Sequence, residues 1–414
     1  MKINSLIRLS ILSLILLASC STPEISNTIT QSEWRGPNRD GIYAEKGLLT
    51  EWPEDGPPLL WKFTELGEGF SSPTFVGETM FISGTLDSIS YLFNLDMNGK
   101  LLWKKAYGKE WMKSYPGVRS SPTIVGDQVY ILSGIGELLC LSVENGELIW
   151  KKDLPSEFGA QPTQYGMSEN LLIEGDVLFC TPGGVEYNVI ALNRFTGELI
   201  WSNKGMSEKS AYCNPRIISI GKEKYYVTMT DKSALSINIA TGELAWSHPL
   251  DGIKSGAHAN SPYYHDGYLF LMDGFEVGAY LLKITDDGKS VERIWKNEIL
   301  DETQGHSVVV GDNIYGSAES KNKLVCLDWN TGEVKFELRK YAPGTSIYAD
   351  NHIYIYGYSG VVGLVEPTQT EFIDKGSFKL PKRSELHIAH PIIHNGVLYI
   401  RYVNELMAYD IKKK

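Results

Sequence analysis

Four histidines, His258, His306, His387 and His390, are the residues of this chain best suited to chemistry at a binding site. A neutral imidazole coordinates transition metals, and a protonated imidazole binds anions. The four could therefore form a metal or anion site if the fold brings them together. No carboxylate occupies a matching position, so the sequence leaves the metal unknown.

The cysteines do not show the spacing of a metal or haem site. No CxxC or CxxCH pattern occurs, whereas structural zinc sites use paired cysteines and c-type haem attachment uses CxxCH. Most of Cys140, Cys180, Cys213 and Cys326 stand in apolar, strand-like runs. We expect them to be buried as small apolar side chains, and a disulfide stays open if two of them lie within reach.

The composition excludes several classes of protein. The chain has 414 residues, 43% of them hydrophobic, which is enough to bury a large core. Its formal net charge of -11 argues against a nucleic-acid partner. Neither a phosphate-binding glycine loop nor a GxSxG motif occurs, so no catalytic residue is assigned. The 40 glycines and 11% aromatic residues favour short strands joined by tight turns.

Residues 1–19 have the features of an export signal. Two basic residues precede the apolar segment Leu9 to Leu17, which is too short for a membrane-spanning helix. The segment ends in LASC, which resembles the lipobox of bacterial lipoproteins, and this resemblance implies lipidation of Cys20. A signal peptide with an ordinary cleavage site is the alternative. We expect residues 20–33 to be a flexible tether, and the protein to be exported and lipid-anchored in the cell envelope, on the periplasmic side of the outer membrane.

A six-letter phrase ending in Trp occurs three times, as NGELIW from Asn145, TGELIW from Thr196 and TGELAW from Thr241. Each copy closes a unit that opens with a polar residue and continues through an apolar run, a turn, an alternating strand, a second turn and another strand. Such a unit predicts four antiparallel strands. Eight units begin at equivalent polar residues, which are Ser72, Ser121, Asn170, Asn214, Ser261, His306, Thr345 and His390.

The last unit lacks an outermost strand, and LLWK, from Leu59, has the form of such a strand with no unit in front of it. Pairing of the two would close a ring and remove its exposed edges. The sequence therefore predicts an all-β fold, an eight-bladed β-propeller over residues 34–414. In each phrase the Gly is expected to adopt a positive φ in a tight turn, and the Trp to fill the gap between blades.

The phrase resembles the quinoprotein-type, or PQQ-like, propeller repeat, whose pattern is L-x-x-x-T-G-x-x-x-W. It appears as LNRFTGELIW from Leu192, INIATGELAW from Ile237 and LDWNTGEVKF from Leu327. This repeat occurs in pyrroloquinoline quinone (PQQ) dehydrogenases and in the BamB-like lipoproteins of the outer-membrane assembly machinery, so it implies a fold and leaves the function open. In the dehydrogenases, PQQ lies beside calcium and against two adjacent bonded cysteines. This chain has no adjacent cysteines, so we expect no cofactor, with PQQ and calcium as the alternative.

Residues 34–58 include WRGPNRDGIY, which is similar to the start of one branch of exported propellers with this repeat. We expect Trp34, Arg35 and Arg39 to cap the propeller by stacking and by pairing with carboxylates. Ligand binding by the same residues is the alternative.

The eight unit starts should line the mouth of the central channel, because the innermost strands of a propeller surround it. Small polar residues also begin strands because they satisfy local backbone groups, an explanation that suits Ser, Asn and Thr better than His. An arginine and two histidines lie just upstream of three unit starts. The binding candidates at the mouth are therefore Arg119, Asn170, Asn214, His258, His306, His387 and His390.

Two classes of function fit these observations. The first is a binding or assembly scaffold, tethered to the membrane through Cys20, whose partner is an envelope protein or a polymer. The second is a periplasmic quinoprotein-like oxidoreductase, or a protein that binds a small ligand or a sugar at the channel mouth.

Overall fold

The computed structural model describes residues 31–251, 256–381 and 387–414. These residues form eight sheets, each built on a four-stranded antiparallel blade, together with one short α-helix, Leu154–Phe158, and one 3₁₀-helix, Glu319–Lys321. The predicted eight-bladed propeller is confirmed. Within the described ranges, no helix has the length and apolar character needed to cross a membrane. The predicted signal peptide and Cys20 lie outside the described residues.

Each of the first seven blades consists of four consecutive strands, and the first strand of each lines the channel. The strands of blades 1 to 4 are Thr74–Val76, Thr79–Leu86, Ile89–Asp96 and Leu101–Lys109; Thr123–Val125, Gln128–Leu132, Glu137–Ser142 and Leu148–Asp153; Leu172–Glu174, Val177–Cys180, Val189–Asn193 and Leu199–Asn203; and Arg216–Ile220, Glu223–Met229, Ser233–Asn238 and Leu244–Pro249. The strands of blades 5 to 7 are Tyr263–His265, Tyr268–Asp273, Gly278–Ile284 and Val291–Asn297; Val308–Val310, Asn313–Ala318, Lys323–Asp328 and Val334–Leu338; and Gly344–Ala349, His352–Gly357, Val361–Pro367 and Phe372–Lys379.

Blade 8 joins the two parts of the chain that are farthest apart in sequence. Its inner strands are Ile392–His394, Val397–Tyr402 and Glu405–Asp410, and its outermost strand is Leu59–Phe63. The outer strand pairs antiparallel with Glu405–Asp410. The predicted closure of the ring by an N-terminal strand is therefore confirmed.

The Trp of the repeated phrase packs on the turn of the next blade. Trp201, on the outer strand of blade 3, donates its indole N–H to the carbonyl of Ile239 at 3.0 Å. It also lies against Gly242, where a Cβ atom would stand 2.8 Å from the indole ring and where φ is +74°. Trp150 makes the same pair of contacts, with the Arg194 carbonyl at 2.8 Å and with Gly197. The glycine thus provides both the turn geometry and the room for the neighbouring indole.

Two blades depart from this arrangement. The turn of blade 5 places Gly288 against Tyr225, and the indole N–H of Trp246 has no hydrogen-bond partner among the described residues. In blade 6 the Trp is replaced by Phe336, which packs edge-on against Phe372 at 4.8 Å between ring centroids.

Apolar side chains from facing sheets form the core between neighbouring blades. Between blades 1 and 2, for example, Phe81 and Leu92 pack with Ile124 and Leu139. The cysteines of the described residues are buried within or beside these layers and are not bonded to one another. Burial raises the pKa of the Cys213 thiol to about 12, so it stays protonated and acts as a small apolar side chain.

Candidate functional site

Residues 31–43, here called the channel segment, run inside the central channel. Gln31–Ser32 pairs antiparallel with the innermost strand of blade 2, and Ile42–Tyr43 pairs parallel with the innermost strand of blade 7. The innermost strands begin at the loops between blades, an end of the ring here called the loop face. The segment therefore runs toward the loop face and back again. It includes residues 31–33, which the sequence assigned to the tether, because the inner edge of blade 2 offers backbone groups for pairing.

Arg39 connects the channel segment to blades 3 and 4. Its Nη2 donates to the carbonyl oxygens of Asn170 and Leu171 at 2.7 and 2.9 Å, and its Nη1 donates to that of Pro215 at 3.2 Å. Its Nε lies 3.3 Å from the carboxylate of Glu33. The guanidinium fork thus bridges one carboxylate and three carbonyl groups while remaining buried.

Arg35 connects the channel segment to blades 6, 7 and 8, on the opposite side of the channel. Its Nη1 lies 3.3 Å from both the Ser346 carbonyl oxygen and Nδ1 of His390. Its Nη2 donates to the carbonyls of Asp40 and Ser307 at 3.0 and 3.2 Å. Burial lowers the pKa of Arg35 to about 10, so the side chain is still cationic at neutral pH. Together the two arginines hold the segment to the inner wall of the ring.

Trp34 stacks edge-on against two histidines and forms the floor of the loop-face opening. Its ring centroid lies 5.0 Å from that of His306 and 4.7 Å from that of His390, and the two imidazoles are 4.8 Å apart. These histidines come from blades 6 and 8, so the structure brings together two of the four that the sequence singled out.

Each nitrogen of these two imidazoles has a partner. The Gln304 carbonyl oxygen lies 3.1 Å from Nδ1 of His306 and 3.0 Å from Nε2 of His390, which makes both nitrogens donors. The remaining nitrogens lie against the Ser261 hydroxyl and Arg35. Burial, followed by the nearby Arg35 charge, holds the pKa of both histidines well below the usual value. They are therefore neutral hydrogen-bonding groups at neutral pH.

The polar unit starts form hydrogen bonds from one blade to the next. The Ser72 amide donates to the Ser121 hydroxyl at 2.8 Å, the Ser121 amide to Oδ1 of Asn170 at 2.6 Å, and the Asn170 amide to Oδ1 of Asn214 at 2.9 Å. The Ser72 hydroxyl donates to the His390 carbonyl at 2.8 Å. Their side chains satisfy backbone groups, but in the neighbouring blade rather than their own.

The other two histidines lie between blades. Nδ1 of His258 contacts the carboxylate of Asp273 in blade 5, and its Nε2 lies 3.2 Å from the carbonyl oxygen of Asp231 in blade 4. His387 stacks face to face on Tyr402, with 3.7 Å between ring centroids, and its Nδ1 forms a hydrogen bond of 2.6 Å with the Tyr356 hydroxyl. Burial lowers the pKa of His387 to about 4. Both side chains are thus engaged in inter-blade packing.

A cavity of about 300 Å³ opens at the loop face, with Trp34, His306 and His390 in its lining. This size is at the lower end of the range for small-molecule sites. Five of the seven binding candidates line it, namely Arg119, Asn170, Asn214, His306 and His390. Among the described residues, no group of three or more His, Cys, Asp or Glu side chains is arranged to hold a metal ion.

Several lining residues were absent from the sequence-based candidates, and these are Tyr115, Tyr165, Tyr212, Glu319 and Tyr358. The first three lie in successive loops between blades, each shortly upstream of a unit start. A tyrosine shortly before each of three unit starts is therefore visible in the sequence. It is not recognised as a repeated position because the number of residues between the tyrosine and the unit start varies.

Glu302 lies outside the cavity lining and is hydrogen-bonded to one lining residue, Tyr358. It accepts hydrogen bonds from the Tyr358 hydroxyl and from the Gly344 amide at 3.3 Å. Burial, followed by the charge of Glu319, raises the pKa of Glu302 to about 8. The carboxyl group is therefore protonated at neutral pH.

A family model described as outer membrane protein assembly factor BamB matches residues 87–338, which is more than half of the chain. The chain belongs to this family. The match confirms the resemblance inferred from the repeated phrase.

Individual relatives of this BamB-family chain are distant. Tetrathionate hydrolase of Acidithiobacillus ferrooxidans is 28% identical over 229 residues, which cover 52% of this chain and 44% of that protein. Among solved structures, BamB from Moraxella catarrhalis is similar with a TM-score of 0.61 and 15% identity over 86% of this chain and 99% of that one. A europium-containing methanol dehydrogenase is similar with a TM-score of 0.65 and 12% identity over 89% of each chain. These structures share the fold, which serves more than one function.

Proposed function

We propose that this protein is a binding scaffold of the cell envelope that takes part in outer-membrane protein assembly. Membership of the BamB family supports the assembly role. In this proposal, lipidated Cys20 holds the propeller at the periplasmic side of the outer membrane, and an envelope protein binds to the propeller surface.

The observation that carries the proposal is a row of exposed apolar side chains on the outer strands of four neighbouring blades, 8, 1, 2 and 3. We call this row the apolar rim. Its members are between 44% and 55% exposed and are Leu59, Leu60, Leu102, Leu148, Ile149, Leu199 and Ile200. In the phrases of blades 2 and 3 the Trp packs against the next blade, whereas the two residues before it are exposed. Exposed apolar patches mark protein-binding faces, and the exposure of these side chains on neighbouring outer strands supports a protein partner.

The channel mouth fits the alternative, a PQQ-dependent oxidoreductase, less well. The resemblance implies adjacent bonded cysteines and a calcium held by carboxylate and amide oxygens, whereas the cysteines of the described residues lie buried and apart. Glu319 is the one carboxylate that lines the cavity within the described ranges, and it already accepts the Thr303 amide at 3.0 Å. These residues do not match that cofactor.

The test of the scaffold proposal is a double substitution on the rim, Leu148→Ser with Ile149→Ser, in the native host. We expect less folded β-barrel protein in the outer membrane, and loss of photo-crosslinks from position 200 to the assembly machinery. The matched control is Ile373→Ser, because Ile373 is an outer-strand residue of blade 7 with 38% exposure. Unchanged β-barrel levels and crosslinks in the rim variant, with the protein present at normal abundance, would refute the proposal.

Anchoring is tested separately with Cys20→Ala and membrane fractionation. We expect the variant to leave the membrane fraction, because acyl chains contribute most of the membrane affinity of a lipoprotein. Retention of the variant in that fraction would exclude Cys20 as the anchor. The oxidoreductase alternative predicts an absorbance change and dye reduction when the purified protein is given PQQ, calcium and an alcohol.

A further inference from the structure

Three tyrosines form one wall of the cavity at the loop face. Tyr115, Tyr165 and Tyr212 come from the loops before blades 2, 3 and 4, and successive ring centroids are 5.8 Å apart. Tyr115 is 49% exposed although it stands in a loop that packs against its neighbours. The rings meet at interplanar angles of 64° and 51°, so this tyrosine row offers both ring faces and ring edges to the cavity, while the Tyr212 hydroxyl is already hydrogen-bonded to Thr163 and to the Tyr165 amide.

The opposite wall is polar. It is formed by Thr303, Gln304 and Glu319 near blade 6 and by Tyr358 of blade 7, which lie across the eight-bladed ring from the tyrosine row. These side chains include a hydroxyl, an amide and a carboxylate, which supply both donors and acceptors. A ligand between the walls would meet aromatic rings on one side and hydrogen-bonding groups on the other.

The cavity carries little net charge. Arg119 and Glu319 are the charged side chains in its lining, and they offset each other. Arg119 turns its guanidinium toward the loop carbonyls of Ser114, Tyr115 and Gly117, at 2.6, 2.6 and 3.1 Å. The two histidines in the floor are neutral, as described above. The site therefore lacks the excess of one charge that would select an ionic ligand.

Four of the 17 non-glycine residues with positive φ among the described residues lie in the lining of this cavity. Tyr115, Tyr212, Phe275 and His306 all have positive φ values, of 45°, 69°, 57° and 53°. Non-glycine residues rarely adopt this conformation, which costs of order 1–3 kcal/mol when the surroundings impose it. Such strain clusters at ligand-binding sites. The four residues with this backbone conformation surround one cavity.

We propose that the loop-face cavity binds an uncharged saccharide of one or two rings. The C–H faces of a pyranose would stack on the tyrosine row, and its hydroxyl groups would bond to Gln304, Glu319 and Tyr358. The floor formed by Trp34 closes the channel below the ligand, so binding occurs from the loop face only. This site is separate from the apolar rim and does not depend on the scaffold proposal.

The experiment is isothermal titration of the purified full-length protein with glucose, galactose, mannose, N-acetylglucosamine, maltose and cellobiose. Glucosamine and glucuronic acid are the charged comparisons. We expect at least one neutral sugar to bind with a Kd of about 1 mM or tighter, and about tenfold more tightly than its charged counterparts. Tyr115→Ala should weaken that binding roughly three- to tenfold, because it removes a stacking contact.

The matched control is Phe195→Ala, which truncates a 41% exposed aromatic residue in a turn of blade 3, at the opposite end of the ring. It should leave sugar affinity unchanged. Thermal melting of each variant checks that the fold is intact, and Tyr165→Ala replaces Tyr115→Ala if the latter fails to fold. Three results would overturn the proposal: no neutral sugar binds, a charged sugar binds as tightly, or both tyrosine variants keep wild-type affinity.

Discussion

The periphery and the axis of this propeller are built on different principles. At the periphery, the same Trp and Gly pair recurs from blade to blade, as with Trp150 and Gly197 or Trp201 and Gly242. At the axis, a single unrepeated segment is held by Arg35 and Arg39, through contacts to five different blades.

The repeated peripheral contacts support the propeller fold, whereas the axial contacts are made by a segment that occurs once and are particular to this chain. Because each peripheral contact has several equivalents, its loss weakens one interface among eight. The axial contacts have no equivalents, and they also set the floor of the cavity at the loop face. Substitutions at the axis should therefore have larger effects on the whole molecule than matched substitutions at the periphery.

Deletion of all residues through Lys62 should have the largest effect, because it removes the channel segment and most of the ring-closing strand together. We expect loss of the cooperative melting transition, since Glu405–Asp410 would become an exposed edge and the inner strands would lose their axial partner. Deletion of residues 21–30 alone should leave the transition in place. Circular dichroism melts compare the two. Equal melting curves would contradict closure through the N-terminal strand.

Arg39→Met should lower the free energy of unfolding by about 2–4 kcal/mol, because it leaves three buried carbonyl groups without their charged donor. Arg339→Met is the control, since the side chain of Arg339 is 76% exposed, and it should change stability by less than about 0.5 kcal/mol. Urea unfolding measures both. If the two variants lose the same free energy of unfolding, Arg39 contributes no more to stability than an exposed arginine does.

Glu302→Gln should remove a pH dependence from stability. The folded-state pKa of Glu302 is raised to about 8 from an ordinary value of 4.5, so its contribution to stability is fully present below about pH 4.5 and is lost as the pH rises through 8. In this window the wild type should lose at most about 1.4 kcal/mol per pH unit relative to the variant. Unfolding midpoints at pH 5, 6, 7 and 8 give the slope. Parallel profiles would show that Glu302 is not protonated in the folded state.

Two matched tryptophans at the periphery should show the smallest effect. Trp201→Phe removes an indole hydrogen bond to Ile239, whereas Trp246→Phe removes an indole N–H that has no partner among the described residues. We expect Trp201→Phe to cost about 1 kcal/mol more than Trp246→Phe. Chemical denaturation of both variants provides the measurement, and a reversed order would disprove the role of this hydrogen bond.

The periphery could be predicted from the sequence because its contacts repeat at a recognisable spacing. The turn glycine and Trp recur in each complete phrase, and the missing last strand could be matched to the segment from Leu59. Alignment of the units also placed His306 and His390 at equivalent positions, and the structure brings their rings together. Lipidation of Cys20 is untested and stays a prediction.

The axis could not be predicted in the same way. Residues 34–41 have no periodicity, and their partners lie far away in the sequence, so only a capping role could be expected for Trp34, Arg35 and Arg39. Glu302 and Tyr358 do not occupy unit-start positions, and the hydrogen bond between them depends on the loop between blades 5 and 6 meeting blade 7 at the loop face. The tyrosine row depends on loop conformations with positive φ that the residue types do not favour.

The separation in sequence between the channel segment and its partners has a consequence for the order of folding. Arg35 contacts residues 311 and 355 positions further along the chain, whereas each of blades 1 to 7 is built from strands that are adjacent in sequence. Contacts between distant residues form slowly, and a chain made from its N-terminus has its last blades available last. The channel segment is thus among the first parts synthesised, but it reaches its final contacts only after the C-terminal strands exist. A chain cut short before His390 would keep most of its hairpins and still lack a completed centre.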